Sequence, residues 1–353
     1  MAASNFIICT RDVDSRGRFV AEPGPTRFLR VPQGQRKYDP SAEIKRDRWR
    51  LAVRAAADGE EDEITGSSGD VLVFVHGYNN DMDAITWRTE TLQQTMAAQG
   101  WRGVVVAFDW PSDNSTLNYL EDRSDAAAVA DHMVTDAIGM LADMQTDTEQ
   151  PCKINVHLLG HSTGAYVIME AFNQAQKKGE LYRADWRVAQ VALIGGDIAA
   201  SSLAADGEWA GAMFDRCVRL TNYSNRYDKV LGVSNAKRLG TSPRVGRVGL
   251  PDNAHPKAVN VDCSDYFATK DPGTSTFNGT FNHSWHIGDP VFALDLALTL
   301  EGEIDRQALP TRDRTDGGLS LKTGGRPPFQ PAWDTDSPQK ARRSMSGAGE
   351  AGP

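Results

Sequence analysis

The chain has 353 residues, of which 40% are hydrophobic and 24% charged, and its formal net charge is −9. That length holds one large α/β domain or two small ones, and the composition is that of an ordinary folded globular protein. The acidic balance argues against a nucleic-acid partner, which calls for a basic face, and no stretch approaches the ~20 apolar residues of a membrane span.

The opening residues, Met1 to Arg11, carry neither a basic n-region nor an apolar run long enough for a signal peptide, so a cytoplasmic protein is expected. Phe6–Thr10 reads as a short β-type run. Ile44 to Ala57 reads as a charged helix, followed by the acidic Glu60-Glu61-Asp62-Glu63. Val71–Val75 is five apolar residues in a row, the mark of a strand buried on both faces. It runs into His76-Gly77-Tyr78-Asn79-Asn80, where Asn80 or Asp81 can cap a helix bearing Ile85, Leu92 and Met96. Gly103–Phe108 is a second buried strand and ends in Asp109-Trp110-Pro111-Ser112. A helix follows from about Ser124 to Met144.

Ile154-Asn155-Val156-His157-Leu158-Leu159 is a strand that leads straight into Gly160-His161-Ser162-Thr163-Gly164. The next residues place Ile168, Ala171, Phe172 and Ala175 on one helical stripe, stopped by Gly179. Further strands are expected at Ala189–Ile194, ending in Gly195-Gly196-Asp197, and at Cys217–Thr221, followed by Asn222 through Asp228. The stretch between Asp197 and Cys217 has room for one or two short helices and predicts a minimal cap. Residues 232–282 read mostly as loop, and a last helix runs from Pro290 to about Leu300. Strands alternating with helices at this spacing predict an α/β fold: a mostly parallel, doubly wound sheet with helices on both faces. A single domain is expected over 1–310, with its core at 70–300, followed by a disordered tail at 311–353 that is poor in apolar residues.

G-x-S-x-G between a strand and a helix has the context of a nucleophile elbow, a sharp turn that lifts a serine hydroxyl above the sheet. A serine hydroxyl is a poor nucleophile until a base takes its proton. The chain order Ser162, Asp228, His283 fits the order in which a serine, an acid and a histidine follow one another in α/β-hydrolases. His283 would take the proton from Ser162 and return it to the leaving group, while Asp228 would orient the imidazole. Two alternates stand beside them. Asp197 directly follows the preceding strand, but it can equally serve as a helix cap. His286 lies three residues beyond His283 and reads as packing for the last helix. Oxyanion donors are expected at the backbone N–H groups of Thr163 and Tyr78. Gly160, His161 and Gly164 shape the elbow, and Gly77, Asn79, Trp110 and Trp285 are candidates to line a substrate site. His76 reads as loop packing, and Asp109 as structural or substrate-lining rather than part of a triad. Arg238, Arg244, Arg247 and Lys257 could face an anionic group, but a solvated loop explains them more simply.

Phe74-Val75-His76-Gly77-Tyr78-Asn79, Phe108-Asp109-Trp110-Pro111-Ser112, Leu159-Gly160-His161-Ser162-Thr163-Gly164 and His283-Ser284-Trp285 together resemble a family of bacterial α/β-hydrolases of unknown function, DUF900. The resemblance spans roughly residues 70–300. It implies an α/β-hydrolase fold with a triad of Ser162, an acid and His283, and it implies no substrate. The expected activity is that of a serine hydrolase, a carboxylic-ester hydrolase acting on small or medium esters. A thioesterase or amidase using the same triad is an alternative, as is a binding protein on an inactive hydrolase fold. No cofactor is called for, and the four scattered cysteines, Cys9, Cys152, Cys217 and Cys263, lack the spacing of a metal site.

Overall fold

In the computed structural model, which describes residues 4–58, 70–78, 80–112, 129–139, 154–232, 243–270 and 281–327, ten strands form one sheet. They are β1 (Ser4–Val13), β2 (Phe19–Pro32), β3 (Val71–Val75), β4 (Val104–Asp109), β5 (Val156–His161), β6 (Val188–Ile194), β7 (Cys217–Ser224), β8 (Ala258–Asp262), β9 (Arg312–Thr315) and β10 (Gly318–Leu321). Their order across the sheet is β2-β1-β4-β3-β5-β6-β7-β8-β10-β9. From β1 to β10 every neighbouring pair in that order is parallel. Only the outermost strands run the other way, β2 against β1 and β9 against β10.

The helices that position the site are α1 (Arg46–Asp58), α2 (Met82–Ala98), α3 (Gly164–Lys177), α4 (Glu208–Arg216) and α5 (Pro290–Glu301). Side chains alternate across a strand, so β3 sends Val71, Val73 and Val75 to one face and Leu72 and Phe74 to the other. The first set packs with Val53 of α1, Ile168 and Phe172 of α3, and Met213 of α4. The second packs with Leu92 and Met96 of α2 and with Phe292, Leu296 and Leu300 of α5. Both faces of β3 are therefore buried, which is why its residues are apolar without interruption. The mostly parallel, two-faced sheet agrees with expectation; the connection between β6 and β7 consists of a 3-10 turn at Ala200–Leu203 and α4, which packs on the sheet.

Several elements depart from the sequence reading. β1 is twice as long as the run Phe6–Thr10, and its partner β2 was not expected. The stretch 232–282 holds β8 and short helices at Val245–Val248 and Ser264–Ala268. The helix expected at Ser124–Met144 is seen over 129–139, with a π-helical stretch at Met133–Ile138; its remainder lies outside the described residues.

The expected tail begins too early at 311. β9 and β10 turn on Asp316-Gly317-Gly318, with Gly318 at φ 114, and β10 adds to the sheet edge at β8. Leu319 and Leu321 bury there, and Arg312 reaches the carboxylate of Asp295 on α5 at 2.6 and 2.8 Å. Tyr223 of β7 and Thr311 donate to that same carboxylate at 2.7 and 2.6 Å. Burial of Leu319 and Leu321 and pairing with β8 offset the ordering entropy that the polar composition suggested could not be met, and Arg312 is matched by a carboxylate where it is buried. The tail from residue 328 onward lies outside the described residues. Among the described residues, no helix is long and apolar enough to cross a membrane.

Candidate active site

β5 ends at His161, and Ser162 makes the turn into α3 with φ 56. Among the described residues, it is the only non-glycine with positive φ. A left-handed serine is strained and persists only where its surroundings hold it. Here its N–H donates to the carbonyl of Ile194 at 3.1 Å, and its own carbonyl accepts from Asp197 N–H at 3.0 Å. The elbow glycines are required by space. A Cβ on Gly164 would lie 2.1 Å from the Val75 carbonyl oxygen, and one on Gly160 would meet Ala165 at 3.0 Å. Thr163 follows Ser162 directly at the head of the 14-residue α3, where the helix dipole favours negative charge.

His283 sits in a one-turn helix, Phe281–Ser284, and its Nδ1 lies 2.6 Å from Asp228 Oδ2. The other Asp228 oxygen accepts the Leu231 N–H at 3.0 Å, and Arg247 donates to the Asp228 carbonyl, so this carboxylate is held from several sides. The imidazole lies over Gly195, where a Cβ would stand 3.0 Å from His283 Cε1. Gly195 follows Ile194, the residue that holds Ser162. His283 Nε2 is buried and meets no hydrogen-bonding partner among the described residues. Carboxylate and imidazole thus stand in series, with the outer ring nitrogen left open beside the elbow.

The alternates are engaged elsewhere. Asp197 pairs with Arg244 at 3.0 Å, with both side chains 7% exposed. His286 is packed against the rings of Trp285 and Phe292, at 4.2 and 5.2 Å, and neither ring nitrogen has a partner among the described residues. Burial, with His283 nearby, holds its pKa well below the ordinary histidine value.

His161 lies beneath the turn. Its Nδ1 is 3.4 Å from Arg88 Nη1, its Nε2 is 3.3 Å from the His283 carbonyl, and its ring is 4.9 Å from that of His283. Burial first, then His283 and Arg88, push its pKa well down, so it stays neutral. His76 is likewise depressed by burial and stacks on Trp110 at 5.3 Å, in keeping with the packing role read for it.

Asp109 joins β1, β4 and the loop before α1. It accepts from Arg11 Nε at 2.9 Å and from Tyr38 at 2.6 Å. Burial pushes its carboxyl up, but Arg11 and its other partners outweigh that and hold it at about 2. Its role is structural.

Not every expected lining residue reaches a pocket wall. Trp110 is fully buried and its indole N–H donates to the His76 carbonyl at 2.9 Å. Trp285 is buried among Tyr266, Phe267 and Phe292. Both therefore serve the core. Gly77 does touch the elbow, since a Cβ there would stand 2.7 Å from Ser162 Cβ, and Tyr78 beside it is half-buried. Asn79 and Arg238 lie outside the described residues. The solvated loop expected for the other cations is corrected: Arg244 pairs with Asp197, Arg247 holds the Asp228 carbonyl, and Lys257 donates to the carbonyls of Phe214 and Cys217. A loop between two parallel strands has to dock on the sheet, and Arg247 and Lys257 satisfy backbone carbonyls as it does so.

Residues 56–258 match the family described as alpha/beta hydrolase of unknown function (DUF900). The chain belongs to this family. The DUF900 match stops before His283 and begins after β1 and β2, so the imidazole and Arg11 come from outside it. No curated protein matches the chain. Solved structures similar to it include a dienelactone hydrolase from Anabaena variabilis, at 18% identity over 58% of this chain and 79% of its own, with TM-score 0.30. Lipase B of Aspergillus fumigatus is 12% identical over 75% of this chain and 58% of its own, with TM-score 0.35. A metagenomic carboxyl esterase is 13% identical over 67% of this chain and 76% of its own, with TM-score 0.30. None of these likenesses bears on the substrate.

Sequence reasoning did not single out Arg11, Arg88 or the role of Asn80. Asp81, not Asn80, caps α2, accepting from Ala84 N–H at 2.8 Å. An arginine at the end of a strand or inside a helix carries no local signal of what it will meet, because its partners are set by sheet order.

Proposed function

We propose that this protein is a serine hydrolase, acting on carboxylic esters through Ser162, His283 and Asp228. The observation that carries the reading is the 2.6 Å contact of His283 with Asp228 beside a serine held at φ 56. In this reading His283 Nε2 takes the proton of Ser162 as Oγ bonds to the ester carbonyl carbon. The resulting oxyanion is met by the N–H groups of Thr163 and Tyr78. The tetrahedral intermediate expels the alkoxide, which leaves as the alcohol with the proton from His283, and an acyl-serine remains. Water, deprotonated by the same imidazole, then attacks that acyl group, and Ser162 recovers its proton as the acid departs. Asp228 stays ionised throughout and stabilises the imidazolium.

Labelling with a fluorophosphonate probe, read by intact mass on wild type and on Ser162→Ala, tests this. One adduct on the wild type and none on the variant is expected. A folded wild type that takes no adduct would overturn the reading. A panel of ester, thioester and amide substrates then separates the carboxylesterase from a thioesterase or amidase working with the same residues.

A further inference from the structure

The peptide unit joining Gly77 to Tyr78 is gripped by its oxygen. Asn80 Nδ2 donates to the Gly77 carbonyl at 2.7 Å and to the Tyr78 carbonyl at 3.1 Å, and His76 Nδ1 donates to that same Gly77 oxygen at 2.7 Å. A carbonyl only accepts, so His76 bears its proton on Nδ1 and Asn80 turns its amide nitrogen inward. His76 Nε2 is then the acceptor for the Trp110 backbone N–H at 3.2 Å. Asp109 Oδ1 comes within 3.4 Å of this nitrogen, but burial disfavours the protonated ring, and the shorter amide contact is the hydrogen bond.

The peptide is trans and planar, so its C=O and N–H point in opposite directions. Fixing the Gly77 oxygen therefore fixes where the Tyr78 N–H points. This peptide also stands at the elbow, with Gly77 packed on Ser162. The grip is anchored from behind: Arg11 Nη2 donates to the carbonyls of Asn80 and Trp110, both at 3.3 Å, while its Nε is held by Asp109 at 2.9 Å. β1 thus reaches across to the loop that follows β3.

The geometry points to Asn80 and His76 as positioning residues that aim the Tyr78 amide at the oxyanion, with the Arg11–Asp109 pair anchoring Asn80. This rests on the reading of Ser162 as the acylated nucleophile. Neither side chain touches substrate; both act through the Gly77–Tyr78 peptide. A donor aimed at a developing charge gains strength only as that charge forms, so losing the aim lowers kcat and leaves KM in place.

Asn80→Asp keeps the size of the side chain and replaces its donor with an acceptor. Active-site titration with the fluorophosphonate, followed by p-nitrophenyl ester kinetics per titrated site, is the test on the full chain. We expect kcat per site to fall about ten- to hundredfold with KM nearly unchanged. Fewer titratable sites with normal kcat per site is the signature of a merely structural residue and overturns the assignment. A wild type that takes no label brings down both readings together, whereas a labelled, active wild type with an equally active Asn80→Asp overturns this one alone. Should Asn80→Asp not fold, the wild type still decides. With ¹⁵N-tyrosine labelling and Tyr78→Phe to assign the signal, the Tyr78 amide proton should move downfield when Ser162 is phosphonylated. An unmoved signal overturns the proposal.

Discussion

His283 Nδ1 and Asp228 Oδ2 lie 2.6 Å apart across 55 positions of sequence, while Asp197, in the loop that follows β6, pairs with Arg244 at 3.0 Å. The two acids that the sequence leaves in competition therefore do different work. Asp228→Asn should lower kcat by about ten-thousandfold, the loss seen when an orienting acid is made neutral. Asp197→Asn should leave kcat within about tenfold and instead lower the melting temperature, because it strips the charge partner from a buried Arg244. Steady-state kinetics and thermal melts of both variants on one ester check this, and the reverse order would move the acid to Asp197.

The φ of 56 at Ser162 sets up an opposition between stability and activity. Ser162→Ala and Ser162→Gly should both be inactive, yet only glycine relieves the left-handed strain. Ser162→Gly should therefore be more stable than Ser162→Ala by about 1 kcal/mol. Urea denaturation of the pair reads this directly, and equal midpoints would mean that the turn stores no strain at this residue.

Asp109 is held at about 2, against an ordinary value of 3.8. The fold favours its charged form, so the stability it contributes is complete above about pH 4 and is lost as the pH falls toward 2. Asp109→Asn should be less stable than wild type at neutral pH, and its melting temperature should fall less between pH 4 and pH 2. Melts across that range on both proteins test the sign; parallel curves would count against it.

Arg312 and Asp295 are both fully buried and meet at 2.6 Å. Arg312→Ala strands a carboxylate in the core and should cost about 3 to 5 kcal/mol. Adding Asp295→Asn should recover part of that loss, because it removes the unpaired charge. Denaturant titration of the single and double variants measures the recovery, and its absence would mean that the pair is not coupled.

The central strands were legible because burial on both faces leaves runs of apolar residues at Val71–Val75 and Val191–Ile194, and the elbow was legible from its glycines. The sheet edges were not. β2 contains Pro23, Gly24 and Pro25, which interrupt any alternation and which only an edge strand tolerates. β8 is five residues long within a stretch rich in turn formers. The hairpin of β9 and β10 carries its turn signal in Asp316-Gly317-Gly318, but the surrounding composition hides the two leucines that anchor it. At the site, chain order singled out Ser162, Asp228 and His283. The choice between the two acids needed Arg244, and the support of the Gly77–Tyr78 peptide needed Arg11 from a strand nearly 70 positions away. Neither could be read before the strand order was known.

β10 covers β8, and it does so with some of the last residues of the sheet. A ribosome that has released everything through β8 and α5 has delivered every group of the proposed triad, yet it leaves β8 as an open edge and Asp295 unpaired. A nascent chain at that stage is exposed to pairing with other strands. A stop codon just before residue 312 would thus spare the chemistry in the reading frame while producing a chain prone to aggregate in the cell.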